Sequence, residues 1–258
     1  MKIAPTDTED YEFLRQSAEL AEARGLPNFD HLKEPIARWN YIRIANEVAV
    51  TVGKARLLDW GCGYGQMTYL LRRRGLEVTA CDIGNPEAAL PDVPLCRGLG
   101  VQGIPHPYEL PFADASFDAV LSCGVLEHVE DDSPDGSEAR SLSEIRRVLR
   151  PEGFLLIYYL PQRASWQEAL TRRLDLGYSH SRRFTCREIS DLLRTSGYRV
   201  KRVRRANLFP RNLPAAPSLV RKLYGAMSRP LLAADAILCS VPGLNRIAGV
   251  LEIVAQRA

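Results

Sequence analysis

The pattern of apolar and polar residues changes twice between residues 57 and 83, giving strand, glycine loop, helix and strand in that order. Two leucines and Asp59 end the first predicted strand, and three glycines then stand at alternate positions. Apolar residues next recur at helical spacing up to Gly75, after which alternation returns and ends at Asp82. The glycines favour a tight turn with positive φ and allow a ligand to approach the backbone. This order predicts half of a doubly wound nucleotide-binding fold.

The rest of the chain also alternates between helical and strand patterns. Helical spacing predicts helices over residues 8–24, 35–50, 137–149, 165–174 and about 185–197. Thr185 and Glu188 have the spacing of a capping box at the start of the last of these helices. Apolar runs predict strands near residues 95–101, 117–122, 154–160, 198–205 and 250–255, and a short turn over 87–90. The chain is therefore predicted to be an α/β protein.

A long segment separates the last two predicted strands. Residues 209–249 contain two short helical patterns between prolines, each beside basic residues. Their apolar stripes consist of Leu219, Val220, Leu223 and Met227 in the first, and Leu231, Ala234, Ile237, Leu238 and Val241 in the second. Two interpretations stay open, namely a lid packed on the core and a basic amphipathic surface at a membrane or over a lipid-like substrate.

Length and composition limit the domain organisation. A chain of 258 residues with 46% hydrophobic content can bury one good-sized core. We predict an N-terminal helical cap over residues 1–52 and one domain over 53–258, with substrate-side elements at 161–197 and a helical lid at 209–249. No segment is apolar enough to span a bilayer, and the N-terminus lacks the features of a signal peptide. Six scattered cysteines without a C-x-x-C pair indicate a reducing, cytoplasmic setting, with peripheral membrane contact as an option.

The net charge of +3 is unevenly distributed. Residues 1–139 carry 12 Lys and Arg against 23 Asp and Glu, a net charge of −11. Residues 140–258 carry 22 against 8, a net charge of +14. Either the two halves attract each other within one fold, or the basic half presents a face to an anionic partner.

The glycine loop separates two classes of ligand. A dinucleotide fingerprint, G-x-G-x-x-G, would need glycine at position 66, where the chain has Gln66. The observed pattern is an acid, one residue and G-x-G-x-G, with Asp82 following 17 residues beyond Gly65. This pattern resembles motif I of the class I S-adenosylmethionine-dependent methyltransferases. The resemblance implies a Rossmann-like, seven-stranded, mostly parallel sheet with helices on both faces, an N-terminal helical cap and a helical insertion before the last strand.

The same resemblance implies a cofactor and the residues that bind it. In that superfamily the loop lies under the methionine part of the cofactor, and the acid at the tip of the second strand holds both ribose hydroxyls. The implied cofactor is S-adenosyl-L-methionine, and the product is S-adenosyl-L-homocysteine. The cofactor contacts assigned in this way are Asp59, Gly61, Cys62, Gly63, Gly65, Asp82 and Ile83.

A second pattern carries the same resemblance independently. It is L-P-F-x-D-x-S-F-D over residues 110–118, followed by V-L-E-H-V over 125–129. The superfamily usually has an acid four residues before this leucine, and that acid takes the adenine amino group. Here the position is His106, so His106, its backbone or Glu109 is expected to replace the usual contact. Cys123 ends the fourth strand and is expected at the cofactor.

Three further points resemble the O-methyltransferases of ubiquinone biosynthesis. They are P-x-x-R-x-x-Y-I over residues 35–42, V-T-x-x-D-x-G over 78–84, and a histidine at 180 followed by Arg183 and Phe184. Helices ahead of motif I commonly cover the cofactor, so Arg38 and Tyr41 are expected near its methionine end. The short turn at 87–90, the histidine at 106 and the insertion depart from that group. A phenol or quinol, a sugar and a lipid-like molecule all stay open as acceptor.

Histidine is the residue type expected to act as base. A hydroxyl nucleophile benefits from a base whose pKa is near the working pH. His180 lies on the loop expected to face the acceptor and is the first catalytic candidate. His128 is the second, although its recurrence among methyltransferases with different substrates favours a structural role. His31, far before motif I, is expected at the surface.

Other functions compete with a small-molecule O-methyltransferase acting by in-line displacement. One is an RNA methyltransferase that uses the arginines of residues 199–205, although arginine on an edge strand is more often solvated. Another is a protein that binds the cofactor without methyl transfer. We interpret the carboxylates after the fourth strand as solvated loop charge and expect no metal; they are Glu127, Glu130, Asp131 and Asp132.

Overall fold

The computed structural model describes residues 5–26, 29–84, 90–131, 135–211, 213 and 216–258. Its strands are β1 (Arg56–Trp60), β2 (Glu77–Ile83), β3 (Val101–Ile104), β4 (Phe117–Cys123), β5 (Leu149–Pro161), β6 (Tyr198–Ala206) and β7 (Val250–Arg257). Its helices are α1 (Pro5–Ala23), α2 (Asp30–Lys33), α3 (Pro35–Val52), α4 (Gln66–Arg73), α5 (Ser137–Val148), α6 (Trp166–Leu174), α7 (Cys186–Thr195), α8 (Ser218–Ala226) and α9 (Ser228–Leu238). None of the described helices is long and apolar enough to cross a bilayer.

The strands form one sheet in the order β3-β2-β1-β4-β5-β7-β6. β1 to β5 run parallel to one another, and β7 runs antiparallel to both β5 and β6. The strand order reverses between β1 and β4, and ligands bind beyond the carboxyl ends of strands at such a switch point. The loop after β1 and the segment after β4 therefore lie side by side. The predicted Rossmann-like sheet is confirmed, and its last two strands pair with each other across the long insertion.

Both faces of the sheet are covered by helices. Consecutive residues of a strand point to opposite faces, and β1 uses this directly. Leu57 belongs to the buried cluster that contains Ile42 of α3, whereas Leu58 belongs to the cluster that contains Leu142 of α5. Two adjacent leucines thus hold β1 between two helical layers and fix the start of the glycine loop.

The loop before α7 is tied to the end of β5. The predicted capping box is confirmed, because Glu188 N donates to Thr185 Oγ1 at 3.2 Å and Thr185 N donates to Glu188 Oε2 at 2.8 Å. The preceding residue, Phe184, donates its N–H to Pro161 O at 2.9 Å. The segment that carries His180 is thereby held against the carboxyl edge of the sheet.

One predicted strand is wrong. A strand was expected over residues 95–101, but β3 spans Val101–Ile104 and Pro94–Cys96 forms a 3-10 turn. Leu95 and Cys96 are buried, at 2% and 5% exposure, by packing rather than by pairing in the sheet. An apolar run indicates burial without distinguishing these two causes. The predicted turn over 87–90 falls almost wholly outside the described residues.

The insertion contacts the start of α3 at Gly225 and is held at the end of β6 by Asp235. A Cβ on Gly225 would lie 2.9 Å from Pro35, so α8 approaches α3 closely there. The buried Asp235 accepts hydrogen bonds from the N–H groups of Asn207 and Phe209 at 3.0 and 2.9 Å. The predicted apolar stripe of α8 does not form this contact, because Leu219, Val220, Leu223 and Met227 are 47–66% exposed.

The acidic and basic parts of the chain pair with each other. Glu252 of β7 is 1% exposed and accepts hydrogen bonds from Arg43 of α3 and Arg204 of β6. Arg202 and Arg204 also pair with Glu47 of α3. The arginines of β6 are therefore neutralised within the fold to a large extent. Of the two interpretations of the charge asymmetry, internal attraction is the one that these contacts support.

Candidate functional site

The loop between β1 and α4 folds back on the end of β2. The N–H groups of Gly61 and Cys62 both donate to Cys81 O, at 2.9 and 3.0 Å. Gly61, Gly63 and Gly65 have φ values of 72°, 54° and 82°. This left-handed region is rarely adopted by residues with a side chain. The backbone of the loop thus requires glycine at all three positions.

The three glycines differ in what surrounds them. A Cβ at Gly61 would lie 2.6 Å from methyl groups of Val125, and one at Gly65 would collide with the side chain of Leu99. A Cβ at Gly63 would meet no atom of the described residues within 4 Å. Gly61 and Gly65 therefore allow close packing of the protein itself, whereas Gly63 faces space that a ligand can occupy.

Asp82 borders that open space. Its two carboxylate oxygens accept hydrogen bonds from Gly63 N at 2.6 Å and from Ile83 N at 2.7 Å. Each oxygen has a second lone pair, so both can also accept from the adjacent hydroxyls of a ribose. The side chain of Ile83 is 58% exposed beside it and offers apolar surface to a purine. Open space, acceptors and apolar surface fit an adenosine-containing cofactor.

Asp59 and Cys62 lie inside the loop rather than on its open side. Asp59 is 1% exposed and accepts a 2.6 Å hydrogen bond from Thr68 Oγ1. Burial raises the pKa of Asp59 to about 6, against the lowering effect of this hydrogen bond. Cys62 is also buried, which raises the pKa of its thiol. In the described structure both residues shape the loop, and direct contact with the cofactor stays a prediction.

The segment after β4 contains a buried carboxyl group. Glu127 is 3% exposed, and its Oε2 has no hydrogen-bond partner among the described residues. Burial raises the pKa of Glu127 to about 7. The interpretation of Glu127 as solvated loop charge is therefore wrong. Of its predicted companions, Glu130 accepts from Gly136 N at 2.9 Å, and residue 132 lies outside the described part of the chain.

The raised pKa of Glu127 predicts a dependence of stability on pH. The folded protein keeps a proton on Glu127 that the unfolded chain, with an ordinary pKa of 4.5, releases. This contribution is present at low pH and is lost as pH rises through about 7. Glu127→Gln has no group that ionises at this position, so it does not lose this contribution. The melting temperature of the variant minus that of the wild type should therefore be about 5 °C larger at pH 8 than at pH 5. Calorimetry with a chelator in both buffers measures this, and equal pH profiles would contradict it.

His180 is paired with a carboxylate of α6. Its Nδ1 lies 2.8 Å from Glu168 Oε1, and its backbone N–H donates to Glu168 Oε2 at 3.1 Å. Burial would raise the pKa of Glu168, but the hydrogen bonds from His180 and the charge of Arg183 outweigh it, and that pKa is lowered. Glu168 is thus a carboxylate that only accepts, so Nδ1 of His180 carries a hydrogen, and in the neutral ring Nε2 is the acceptor.

His128 lies against this pair. Its ring centroid is 5.5 Å from that of His180, and its Nδ1 is 2.8 Å from Asp131 Oδ2. Glu127, His128 and His180 each bring one potential ligand atom to within 4.8 Å of the other two. The two catalytic candidates of the sequence are thus brought together. Carboxyl and imidazole groups can bind protons, and they are also the types of group that bind a divalent cation.

A cavity of about 610 Å³ opens beside His180. We call it the acceptor cavity, and its wall combines the His180–Glu168 pair with aromatic, apolar and basic side chains. These further residues are Trp166, Gln167, Leu170, Thr171, Leu176, Tyr178, Pro210, Arg211, Leu213 and Ala216. Its size suits a small organic molecule.

A group of aromatic residues connects the acceptor cavity with the sheet. The guanidinium of Arg211 lies 3.8 Å from the centre of the Tyr159 ring, at the end of β5. Tyr159 has a φ of 62° and meets Tyr41 of α3 edge to face at 5.2 Å. Tyr41 is 5% exposed. Its burial raises its pKa, and the half-buried Cys123 at the end of β4 raises that pKa further. Tyr41 interacts with Gln66 at the start of α4 as well as with Arg211, and Cys123 interacts with Asp59 as well as with Arg211, so both residues connect the glycine-loop region with the cavity.

The other predicted site residues are placed differently. Arg38 is 4% exposed and donates to Leu32 O, Lys33 O and Tyr11 Oη at 2.6–2.9 Å, so its guanidinium holds α1 and α2 against α3. His106 is exposed after β3 and stacks on Tyr108 at 5.1 Å. Both assignments to the cofactor stay predictions. The expectation of a surface position for His31 is wrong, because its half-buried ring lies 5.9 Å from that of Tyr41.

Three functional candidates have no clear signal in the sequence. Glu168 follows Ser165 by three residues, a spacing that helix capping explains, and Glu168 N does donate to Ser165 Oγ at 3.3 Å. Tyr159 belongs to an apolar strand, and Arg211 belongs to the insertion. Tertiary contacts between distant segments bring Glu168 and Arg211 to the cavity and place Tyr159 against Arg211.

Comparison with known proteins places part of the chain in a family. Residues 58–157 match the family described as "Methyltransferase domain". A "Probable S-adenosylmethionine-dependent methyltransferase" of Mycolicibacterium smegmatis is 31% identical over 150 residues, covering 56% of this chain and 52% of the relative. A "Probable tRNA methyltransferase 9B" of Mus musculus is 36% identical over 100 residues, covering 39% of this chain and 20% of the relative.

Two further comparisons name an O-methyltransferase and an N-methyltransferase. "O-methyltransferase resE" of Aspergillus sclerotiorum is 29% identical over 170 residues, covering 61% of each protein. Among solved structures, 1,6-didemethyltoxoflavin-N1-methyltransferase of Burkholderia thailandensis, with bound S-adenosylhomocysteine, has a TM-score of 0.54 at 22% identity. That comparison covers 100% of this chain and 92% of the other, and shows the fold. The chain spans between one fifth and about three fifths of the three curated relatives.

Proposed function

Because the chain belongs to the class I S-adenosylmethionine-dependent methyltransferase superfamily, with S-adenosyl-L-methionine as its cofactor, we propose that it methylates a hydroxyl group of a small molecule. The observation that carries this proposal is the His180–Glu168 pair in the wall of the acceptor cavity. A histidine whose Nε2 is left as an acceptor suits a nucleophile that must lose a proton.

The proposed reaction is a displacement in line with the bond that breaks. When bound, the cofactor supplies an electrophilic methyl group on a sulfonium ion. The acceptor oxygen forms the new O–C bond as the S–C bond breaks, and the proton of the hydroxyl goes to Nε2 of His180. Glu168 holds the ring through Nδ1 and stabilises the positive charge that develops on it. The walls of the cavity orient the acceptor and exclude water.

The glycine loop and Asp82 are proposed to hold the cofactor. The open space at Gly63 and the two acceptor oxygens of Asp82 support this placement. Tyr41, Cys123 and Tyr159 then lie between the cofactor and the acceptor cavity. Methylation of oxygen is also the activity named for the Aspergillus relative, whereas the Burkholderia protein is named for methylation of nitrogen.

Labelled cofactor tests the class of acceptor. The protein is incubated with methyl-labelled S-adenosylmethionine and a cell extract, which is then separated into small-molecule, lipid and RNA pools. We expect label in the small-molecule or lipid pool as a methyl ether, together with S-adenosylhomocysteine. Label in RNA alone would contradict the proposal, and no S-adenosylhomocysteine with any extract would favour a protein that binds the cofactor without methyl transfer.

RNA methylation is the second candidate. The relative from Mus musculus favours it, since that protein is named as a probable tRNA methyltransferase and matches this chain over 100 residues. The arginines of β6 give it less support, because Arg199, Arg202 and Arg204 pair with glutamates. RNA binding whose affinity falls steeply with salt would support this candidate.

We also propose that α8 contacts lipid, because its apolar stripe is exposed beside Lys222. Basic amphipathic helices bind anionic membrane surfaces. The protein should co-sediment with vesicles containing phosphatidylserine. The double change Leu219→Glu with Leu223→Glu should weaken binding roughly tenfold or more, because each leucine buries apolar surface. Wild-type protein that stays in the supernatant would contradict this prediction, and vesicles of neutral lipid are the control.

A further inference from the structure

Arg211 brings a positive charge to the acceptor cavity, and the part of the chain that the structure describes gives it no carboxylate partner. Its guanidinium stacks on Tyr159 at 3.8 Å and lines the cavity. Among the described residues, no Asp or Glu oxygen forms an ion pair with it within 4.0 Å. Two other arginines, Arg38 and Arg43, are committed to protein groups, since Arg38 donates to backbone carbonyls and Arg43 to Glu252. Arg211 is therefore available to a ligand.

The groups closest to Arg211 do not supply the missing negative charge. They are Tyr159, Tyr41 and Cys123. Burial raises the pKa of each of them, so all three are neutral at physiological pH. Glu127 influences Arg211 only from beyond ion-pair distance, and Glu168 in the cavity wall is engaged by His180. A charge in a largely buried position normally has a partner. Since the described residues supply no negative partner for the Arg211 guanidinium, a bound ligand can supply it.

We propose that Arg211 binds a carboxylate group in the acceptor cavity. A guanidinium presents paired N–H donors that match the two oxygens of a carboxylate. The cavity wall also presents aromatic rings and the Nε2 of His180, so a hydroxylated organic acid is the acceptor class that fits. This inference rests on the proposed function for the hydroxyl. The methionine part of the cofactor also carries a carboxylate. The experiment distinguishes a carboxylate of the acceptor from that of the cofactor.

Binding in the absence of turnover tests the inference. Protein saturated with S-adenosylhomocysteine is titrated by calorimetry with 4-hydroxybenzoate and with its neutral analogue 4-hydroxybenzamide. Wild-type protein should prefer the acid by about tenfold or more, and Arg211→Gln should reduce the preference to about twofold or less. Arg211→Lys keeps the positive charge but lacks the paired donors, so its preference for the acid should lie between those of the wild type and Arg211→Gln. Arg229→Gln is the matched control, because that guanidinium also lies over an aromatic ring, Trp39, but outside the acceptor cavity.

The second arm measures affinity for S-adenosylhomocysteine and for its decarboxylated analogue. If the acceptor supplies the carboxylate, Arg211→Gln leaves both affinities unchanged. If the cofactor supplies it, the variant loses affinity for S-adenosylhomocysteine about tenfold and not for the analogue. Unchanged affinities together with a lost preference for the acid probe assign the carboxylate to the acceptor, and a loss of affinity for S-adenosylhomocysteine assigns it to the cofactor. Equal binding or no binding of the two benzoyl probes, with unchanged affinity for S-adenosylhomocysteine, would overturn the inference. Since no methyl transfer is needed, failure here is distinct from failure of the proposed function.

Discussion

Replacing His180 with alanine should lower turnover by about 10²-fold or more, which is the usual effect of losing a general base. The ring is held by Glu168 at 2.8 Å and lines the acceptor cavity, so its loss removes the acceptor for the hydroxyl proton. Affinity for S-adenosylhomocysteine should be unchanged, because the cofactor is expected at the glycine loop. Initial rates at saturating cofactor and calorimetric binding measure the two quantities separately.

Two matched variants distinguish a base from a residue that only shapes the loop. Glu168→Gln keeps the size of the side chain and one acceptor oxygen, so it should cost about tenfold, less than the loss of the ring. His128→Ala removes a ring 5.5 Å away whose Nδ1 is already paired with Asp131, and a change of only a few fold is expected. If His180→Ala and His128→Ala have equally small effects, His180 is not the base.

Replacing Asp82 with alanine should weaken cofactor binding about 10²-fold or more. Two hydrogen bonds to a charged carboxylate contribute about 1.5–3 kcal/mol each, and the loop would also lose its contact at Gly63 N. Calorimetry with S-adenosylhomocysteine measures the affinity. Asp82→Asn keeps one acceptor oxygen and should fall between the wild type and alanine.

The control for Asp82 is another carboxylate outside the site. Asp92 is exposed and pairs with Arg97 at 2.8 Å, so Asp92→Ala should leave cofactor affinity unchanged. Melting temperatures of all variants show whether the fold is kept. An Asp82→Ala protein that is folded and binds S-adenosylhomocysteine like the wild type would show that the adenosine lies elsewhere.

The cofactor side of the molecule could be predicted from sequence because its elements are local. The loop of residues 61–65 requires glycine by its φ values, and Asp82 follows at the end of the next strand. Buried parallel strands and capped helices also leave strong patterns, as Leu57 and Leu58 or the pair Thr185 and Glu188 show. Position in the chain and position in the fold are closely linked in these cases.

The acceptor side could be predicted only in part because tertiary contacts build it. His180 was found through a resemblance, but its partner Glu168 is explained locally as part of a helix start. The sequence indicates surface charge at Glu127, since it does not reveal that a 3-10 turn buries this residue. Arg211 lies in an insertion that the resemblance does not cover. Its significance depends on the lack of an acid within ion-pair distance among the described residues, which only the folded chain reveals.

The same limit explains two wrong or incomplete structural predictions. The apolar residues before β3 are buried in a turn rather than in a strand, and hydrophobicity alone does not separate the two. In the insertion, the apolar stripe of α8 faces outward, while Gly225 and the polar Asp235 form the contacts with the body of the protein. Helical spacing predicted the helix correctly but not which of its faces is packed.

The most direct test of this account follows one methyl group in wild-type and His180→Ala protein. Both are supplied with S-adenosylmethionine labelled at the methyl carbon and with a small-molecule acceptor pool, and the products are analysed by mass spectrometry and NMR. We predict that the wild type forms S-adenosylhomocysteine and a methyl ether in equal amounts, while the variant binds the cofactor and forms at least ~10²-fold less of both. A label found on nitrogen or only in RNA, or equal rates for the two proteins, would contradict the account.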